Sequence, residues 1–177
     1  MPKQLTRKDI IEQKILPYGD KFLLLDEVIF DNNPEVSTGY LKLTDSMDFV
    51  RDHFGVLPLT LQIEAIGQLG LLNALIINPD FFGAAEHFAT VQVGMLPLVV
   101  GMTLEIKTRI KFDSTDQGEK DILLIEGEIG PRGYGNKYNT IGTGKIRLKS
   151  KKYFEKALKN SERLIRKINK NKGTSKN

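Results

Sequence analysis

The hydrophobic pattern is densest between residues 58 and 77. Twelve of those twenty positions are apolar, among them Leu59, Leu61, Ile66, Leu69, Leu72 and Ile76. That density leaves no wide polar face, so the spacing predicts a helix surrounded on most sides by the rest of the fold. Pro58 suits its first turn, and Asn78-Pro79 stops it. Three polar side chains, Gln62, Glu64 and Gln68, interrupt it.

The other patterns are strand-like. FLLLDEVIF (22–30) reads as a buried strand, Asn32-Asn33-Pro34 turns the chain, and Val36, Thr38, Tyr40 and Leu43 suggest a strand pairing back on it. After the long helix come four runs, at 87–96, 102–112, 121–129 and 138–148. The second alternates cleanly, with Met102, Leu104, Ile106, Thr108, Ile110 and Phe112 on one side and Thr103, Glu105, Lys107, Arg109 and Lys111 on the other. A half-solvated antiparallel sheet demands that alternation. Gly130-Pro131-Arg132-Gly133 turns between the last two runs. A short helix is predicted over 6–15, capped by Thr6 with Asp9 three residues on, and ended by Pro17 and Gly19. A final helix is predicted over 150–169, where Phe154, Leu158, Ile165 and Ile168 recur at helical spacing, followed by a disordered NKGTSKN end.

Two strands, one enveloped helix and four more strands make an α+β architecture. A long antiparallel sheet wrapped around one central apolar helix satisfies this order, which is the hotdog arrangement. The expected division is a hotdog domain over residues 1–149 and a basic C-terminal helix and tail over 150–177. There is no internal repeat.

Composition narrows the chemistry. At 177 residues the chain suits one domain. The absence of cysteine excludes a disulfide scaffold, thiolate zinc sites and thiol catalysis. With His53 and His87 as the imidazoles, no metal site and no cofactor are expected. The apolar run around Ile76-Ile77 is broken well before the ~20 residues of a membrane span. The start, MPKQLTRKDIIEQ, lacks the apolar segment of a secretory signal, so a cytoplasmic location is expected. The net charge of +4 is uneven: 11 Lys/Arg and 2 Asp/Glu lie from Lys149 onward, a net of +9, which leaves −5 for the preceding residues. That body would repel phosphate, so nucleic acid is not an expected partner. The basic end reads as a solvated helix first, and as a docking segment for an acidic partner such as acyl carrier protein or anionic lipid second.

Candidate chemistry centres on His53 and Glu64. A carboxylate on the most apolar helix of the chain is expensive to bury unless partnered. A desolvated carboxyl holds its proton to higher pH, which suits a proton donor. His53 lies just upstream, and an imidazole can accept a carbon-bound proton near neutrality without a metal. The helix starting at Pro58 offers free N–H groups and a favourable dipole, where a thioester carbonyl could be polarised. The plainer alternatives are a buried carboxylate satisfied by backbone for Glu64 and a loop histidine at the sheet edge for His53. His87, beside Glu86, reads as a strand-edge residue. Gln68 reads as a hydrogen-bond partner for a neighbouring loop, and Tyr18 and Asp20 as residues at the mouth of the site.

Three segments carry a resemblance. LPYGDKFLLLDEV (16–28), HFGVLPLTLQIEAIGQLG (53–70) and FATVQVGMLPLVVGMTL (88–104) resemble, in order and spacing, motifs of the 3-hydroxyacyl-acyl-carrier-protein dehydratases. The likeness spans roughly residues 10 to 148. It implies a hotdog homodimer with sites at the subunit seam, where His53 of one subunit and Glu64 of the other remove water from a 3-hydroxyacyl thioester on acyl carrier protein, in fatty-acid or related acyl-chain synthesis. The histidine would take the C2 proton while the acid helps the hydroxyl leave. Leu59, after Pro58, falls where the family's helix-start glycine gives its N–H to the thioester oxygen, and Gln68 matches the family's glutamine. There are departures. The stretch from His53 to Glu64 is three residues shorter than the family's, Leu59 replaces that glycine, Tyr18 replaces a histidine, and Val100-Gly101-Met102 replaces Pro-Gly-Asp. Two further readings stay open on the same fold: an acyl-thioester hydrolase, acting on acyl-CoA, and a non-catalytic acyl-binding or partner-binding hotdog subunit.

Overall fold

The computed structural model describes residues 4–16, 18–94, 96–113, 122–133 and 139–150. The elements are β1 (Gln4–Thr6), α1 (Arg7–Glu12), a 3-10 turn (Asp20–Phe22), β2 (Glu27–Phe30), β3 (Val36–Lys42), α2 (Asp48–Arg51), α3 (Leu59–Ile77), β4 (Phe81–Val93), β5 (Thr103–Asp113), β6 (Ile122–Pro131) and β7 (Thr140–Ser150). All strand pairs are antiparallel, in the order β1-β2-β3-β5-β6-β7-β4. The sheet curls around α3, which packs against β3, β4, β5, β6 and β7. This is the hotdog fold that the enveloped helix implied. The helix predicted over 150–169 and the tail beyond it lie outside the described residues, apart from Ser150, which ends β7.

Each α3 residue from Ala65 to Leu75 is buried. The helix has 19 residues and is long and apolar enough to cross a bilayer, yet most of it is buried inside the fold. The sheet does what lipid would otherwise do. On β5 the apolar set is inward: Leu104, Ile106 and Ile110 are at most 1% exposed, while Arg109 and Lys111 face solvent. The outward residues meet opposite charges across the ladder, with Lys107 opposite Glu128 and Arg109 opposite Glu126.

Where β6 crosses the helix, a side chain has no room. A Cβ on Gly127 would run into the Ile66 side chain and come within 3.1 Å of both the Lys107 carbonyl oxygen and Thr108 Cγ2. A backbone oxygen held in a ladder cannot step aside. Gly127→Ala is therefore expected to destabilise the fold by about 1–3 kcal/mol through overpacking. Urea denaturation reads this as a lower midpoint at unchanged slope, and an unchanged midpoint would refute the close approach.

Several elements differ from the sequence expectation, each for a physical reason. Among the described residues the sheet has seven strands rather than six. β1 is three residues long, too short to register as a period, yet Leu5 is buried opposite Val28. The α1 capping box forms as expected, with Asp9 N–H donating to Thr6 Oγ1 and Thr6 N–H to Asp9 Oδ2. The helix ends at Glu12 rather than 15, and Lys14 follows in a left-handed conformation. Of the run 22–30, only Glu27–Phe30 is in the sheet. Leu23, Leu24 and Leu25 are buried, but the Leu24 N–H goes to a helix side chain instead of a strand. β4 starts at Phe81, six residues early. Bulges between Ala85 and His87 and between Thr90 and Gln92 break the two-residue alternation that would have revealed it. α2 is a single turn and carries no periodic signal.

Candidate active site

Gln62, Glu64 and Gln68 on α3 have three different jobs. Gln62 is structural. Its Nε2 donates to the Leu57 carbonyl at 3.0 Å, and its Oε1 accepts from Thr140 Oγ1 at 2.6 Å and Asn139 Nδ2 at 3.3 Å, tying the helix start to the head of β7. Gln68 is a clamp. Its Oε1 accepts from the Leu24 N–H at 2.8 Å, and its Nε2 donates to the Phe22 carbonyl at 2.8 Å and to Glu64 Oε1 at 3.2 Å. The amide thus replaces a strand partner for residues 22–24 and holds that segment against the helix. This matches the loop-bonding role expected of Gln68.

Glu64 is left to face open space. It lines a cavity of about 440 Å³ with Gln68, between aromatic walls from Tyr18, Phe22 and Phe49, and with Leu24, Thr60 and Leu61 completing the lining. Such a volume is in the ordinary range for small-ligand pockets. The surface is mostly apolar, with one carboxylate, one phenol, one side-chain amide and the Thr60 side chain set into it. Phe22, at 70% exposure, and Leu59, at 39%, leave apolar surface near the cavity and at the helix start.

The segment that forms the outer wall is held from the other side by Arg7. Its guanidinium donates to Asp26 Oδ1 at 2.9 Å, to the Leu23 carbonyl at 2.8 Å, and to the Asp20 carbonyl at 2.9 Å and its Oδ1 at 3.2 Å. A planar fork with five donors suits such a multi-point clamp. The wall is thus fixed between Arg7 and Gln68. The phenol of Tyr18, half-buried in this wall, lines the same cavity as the Glu64 carboxylate. Burial first, and then the neighbouring Glu64 with its negative charge, push the Tyr18 ionisation well above the ordinary tyrosine range.

His53 lies in the turn after α2. Its Nδ1 is 2.7 Å from the Phe49 carbonyl oxygen. A carbonyl can only accept, so Nδ1 carries a proton, and in the neutral form of the ring the lone pair sits on Nε2. The side chain faces solvent, and within one subunit it does not line the Glu64 cavity. The turn is tight: Phe54 and Gly55 are both left-handed, at φ 57° and 79°, and the Gly55 N–H returns to the Val50 carbonyl at 2.9 Å. These two residues close the connection that is three residues short. Phe54 is fully exposed, a strained and solvated aromatic beside the histidine. The same turn is pinned to the segment matching the family's third motif, through Leu57 N–H to the Leu98 carbonyl at 2.8 Å and Val100 N–H to the Gly55 carbonyl at 2.9 Å.

Pro58 precedes the helix with extended backbone, and its carbonyl accepts from the Leu61 and Gln62 N–H groups at 3.0 and 3.1 Å. The Leu59 and Thr60 amides have no acceptor one turn earlier within the helix, the ordinary state of a helix start. One subunit therefore brings Glu64 and Gln68 together in the cavity, with Pro58 and Leu59 at the head of the same helix and His53 apart. Sequence reasoning placed Tyr18 only near the mouth. Its signal was its position in the first motif, where the family has histidine. Phe49 and Thr60 gave no signal at all.

No protein-family profile matches the chain. Its sequence is 31% identical over 122 residues to the 3-hydroxyacyl-acyl-carrier-protein dehydratase FabZ of Clostridium novyi (strain NT), covering 66% of this chain and 85% of that protein. Among solved structures, it resembles the dehydratase heterocomplex ApeI:P from Xenorhabdus doucetiae, with a TM-score of 0.62 and 18% identity over 82% of this chain and 95% of that one. It also resembles a hypothetical thioesterase with coenzyme A from Streptococcus pneumoniae TIGR4, with a TM-score of 0.50 and 10% identity over 66% and 80% of the two chains. The structural likenesses establish the fold; the sequence likeness, over most of the relative's length, goes further, and by it the chain belongs to the 3-hydroxyacyl-acyl-carrier-protein dehydratase FabZ family.

Proposed function

We propose that this protein removes water from a 3-hydroxyacyl thioester carried on acyl carrier protein, acting as a homodimer. The observation that carries the reading is the Glu64 carboxylate set in a mostly apolar cavity on the central helix of a dehydratase-family chain. His53 is the base. Its Nε2, freed by the Nδ1 contact with Phe49, takes the proton from C2. Glu64 of the partner subunit is the acid and gives a proton to the C3 hydroxyl, which leaves as water while the C2–C3 double bond forms. The Leu59 N–H, beyond Pro58, polarises the thioester oxygen so that negative charge can build there. Gln68 holds the cavity wall. Apolar surface along Phe22, Phe49 and Leu61 receives the acyl chain. An exposed histidine beside an exposed Phe54 fits a residue that works on the far side of a seam.

The test is to incubate the protein with 3-hydroxyacyl and trans-2-enoyl thioesters across chain lengths and follow interconversion. Enoyl thioester formed from the hydroxyacyl substrate supports the reading. No interconversion at any length sinks it.

A second reading is favoured by the shortened His53 connection. If His53 does not meet the substrate, Glu64 with Tyr18 and Gln68 remains a polar cluster able to orient a water on an acyl thioester, such as acyl-CoA. Free thiol released without enoyl product identifies that hydrolase.

A further inference from the structure

The Glu64 carboxylate is touched by the Gln68 amide and shares its cavity with the Tyr18 phenol, to which the dehydration mechanism above gives no role. Gln68 reaches it from one turn further along α3, at 3.2 Å. Tyr18 stands with it in the lining of the same cavity, on a wall segment forty-six residues away in sequence. That wall cannot drift, because Arg7 grips it at Asp20, Leu23 and Asp26 and Gln68 grips it at Phe22 and Leu24. The phenol is therefore presented to the carboxylate by a braced element. A carboxylate has about four acceptor positions. The Gln68 amide takes one of them, and a phenol beside it taking a second would still leave lone pairs for a substrate.

We propose that Tyr18 is a positioning residue for Glu64, its phenol acting with the Gln68 amide to hold the carboxylate in the cavity and to bear part of its charge once the proton has gone to the leaving hydroxyl. The proposal rests on the dehydratase reading for the reaction, but the placing of Tyr18 and Glu64 in one cavity does not. Tyr18 and Glu64 are the titratable residues lining this cavity among the described residues. On the phenol's own segment, Asp20 is paired with Arg7, and Lys21 points to solvent.

Two measurements test it. In steady-state kinetics, Tyr18→Phe keeps the ring in the wall and removes the donor. It is expected to lower kcat roughly 10- to 100-fold, the loss of one hydrogen bond to a charged group, with KM within about two-fold. A change in KM alone, or an unchanged kcat, overturns the positioning role. The second measurement needs no turnover. The difference in alkaline absorbance titration between wild type and Tyr18→Phe isolates the Tyr18 signal. In wild type it ionises above the ordinary value of ~10, and in Glu64→Gln it falls part of the way back, because the negative neighbour is gone while the burial remains. A Tyr18 titration indifferent to Glu64→Gln overturns the contact. If wild type does not interconvert hydroxyacyl and enoyl thioesters, the dehydratase reading fails by itself. The kinetic comparison is then made on acyl-thioester hydrolysis, and absence of that activity as well overturns the positioning role even with the titration intact.

Discussion

Glu64→Gln is expected to cut turnover of a 3-hydroxyacyl thioester by roughly 10²–10⁴-fold, the usual contribution of a positioned acid. The amide is nearly the same size, so it still fits between Tyr18, Gln68 and the cavity walls, and thermal stability should change little. It cannot donate a transferable proton to the C3 hydroxyl. His53→Ala should produce a loss of similar size from the other side of the reaction, by removing the group that takes the C2 proton. The two losses have a signature that a single-subunit site lacks. If His53 and the partner's carboxylate form each site, mixing the two inactive variants yields heterodimers with one intact site and one doubly damaged site. Random exchange then recovers about a quarter of wild-type activity. No recovery after demonstrated subunit exchange would place the two groups in one subunit or outside the chemistry altogether.

Gln68→Leu is expected to destabilise the fold by about 2–3 kcal/mol. The Leu24 N–H is buried, with its residue 1% exposed, and its partner is the Gln68 side chain. Removing that acceptor leaves a donor with neither protein nor water, the costly case in hydrogen-bond exchange. The Phe22 carbonyl adds less, because Phe22 is open to solvent. The measurement is urea denaturation together with hydrogen exchange at the Leu24 amide. Protection is expected in wild type and its loss in the variant, with the Arg7 contacts holding Asp20 and Asp26 in place. Unchanged stability with Leu24 still protected would mean that the wall is held without this amide.

Much of the architecture was legible in short-range patterns. The helix over 58–77 announced its burial by lacking a polar face, and a helix apolar all round must be covered whatever covers it. β5 announced its half-solvated state by strict alternation, and the Thr6–Asp9 pair announced the start of α1. The candidate site was legible only in part. Glu64 stood out because a carboxylate on such a helix needs a reason, and Gln68 because it interrupted the same face. What Gln68 holds was invisible, since its partners Leu24 and Phe22 lie 44 and 46 residues away. The run FLLLDEVIF looked like one strand because burial and strand membership leave the same apolar trace. Only the helix amide separates the two. β4 hid its length behind two bulges, which shift the side-chain phase and erase the period.

The chain's own order of residues determined that one helix would be enveloped by an antiparallel sheet, and that a carboxylate would ride on that helix. Periodicity and burial cost are local properties, written every two or four residues. The cavity was decided only in three dimensions. Arg7, Tyr18, Phe49, Glu64 and Gln68 come from four separate stretches, and no pattern within any one of them encodes the distance to the others. Hydrogen bonds that close such gaps depend on where the sheet curls, and that is a property of the whole packed molecule.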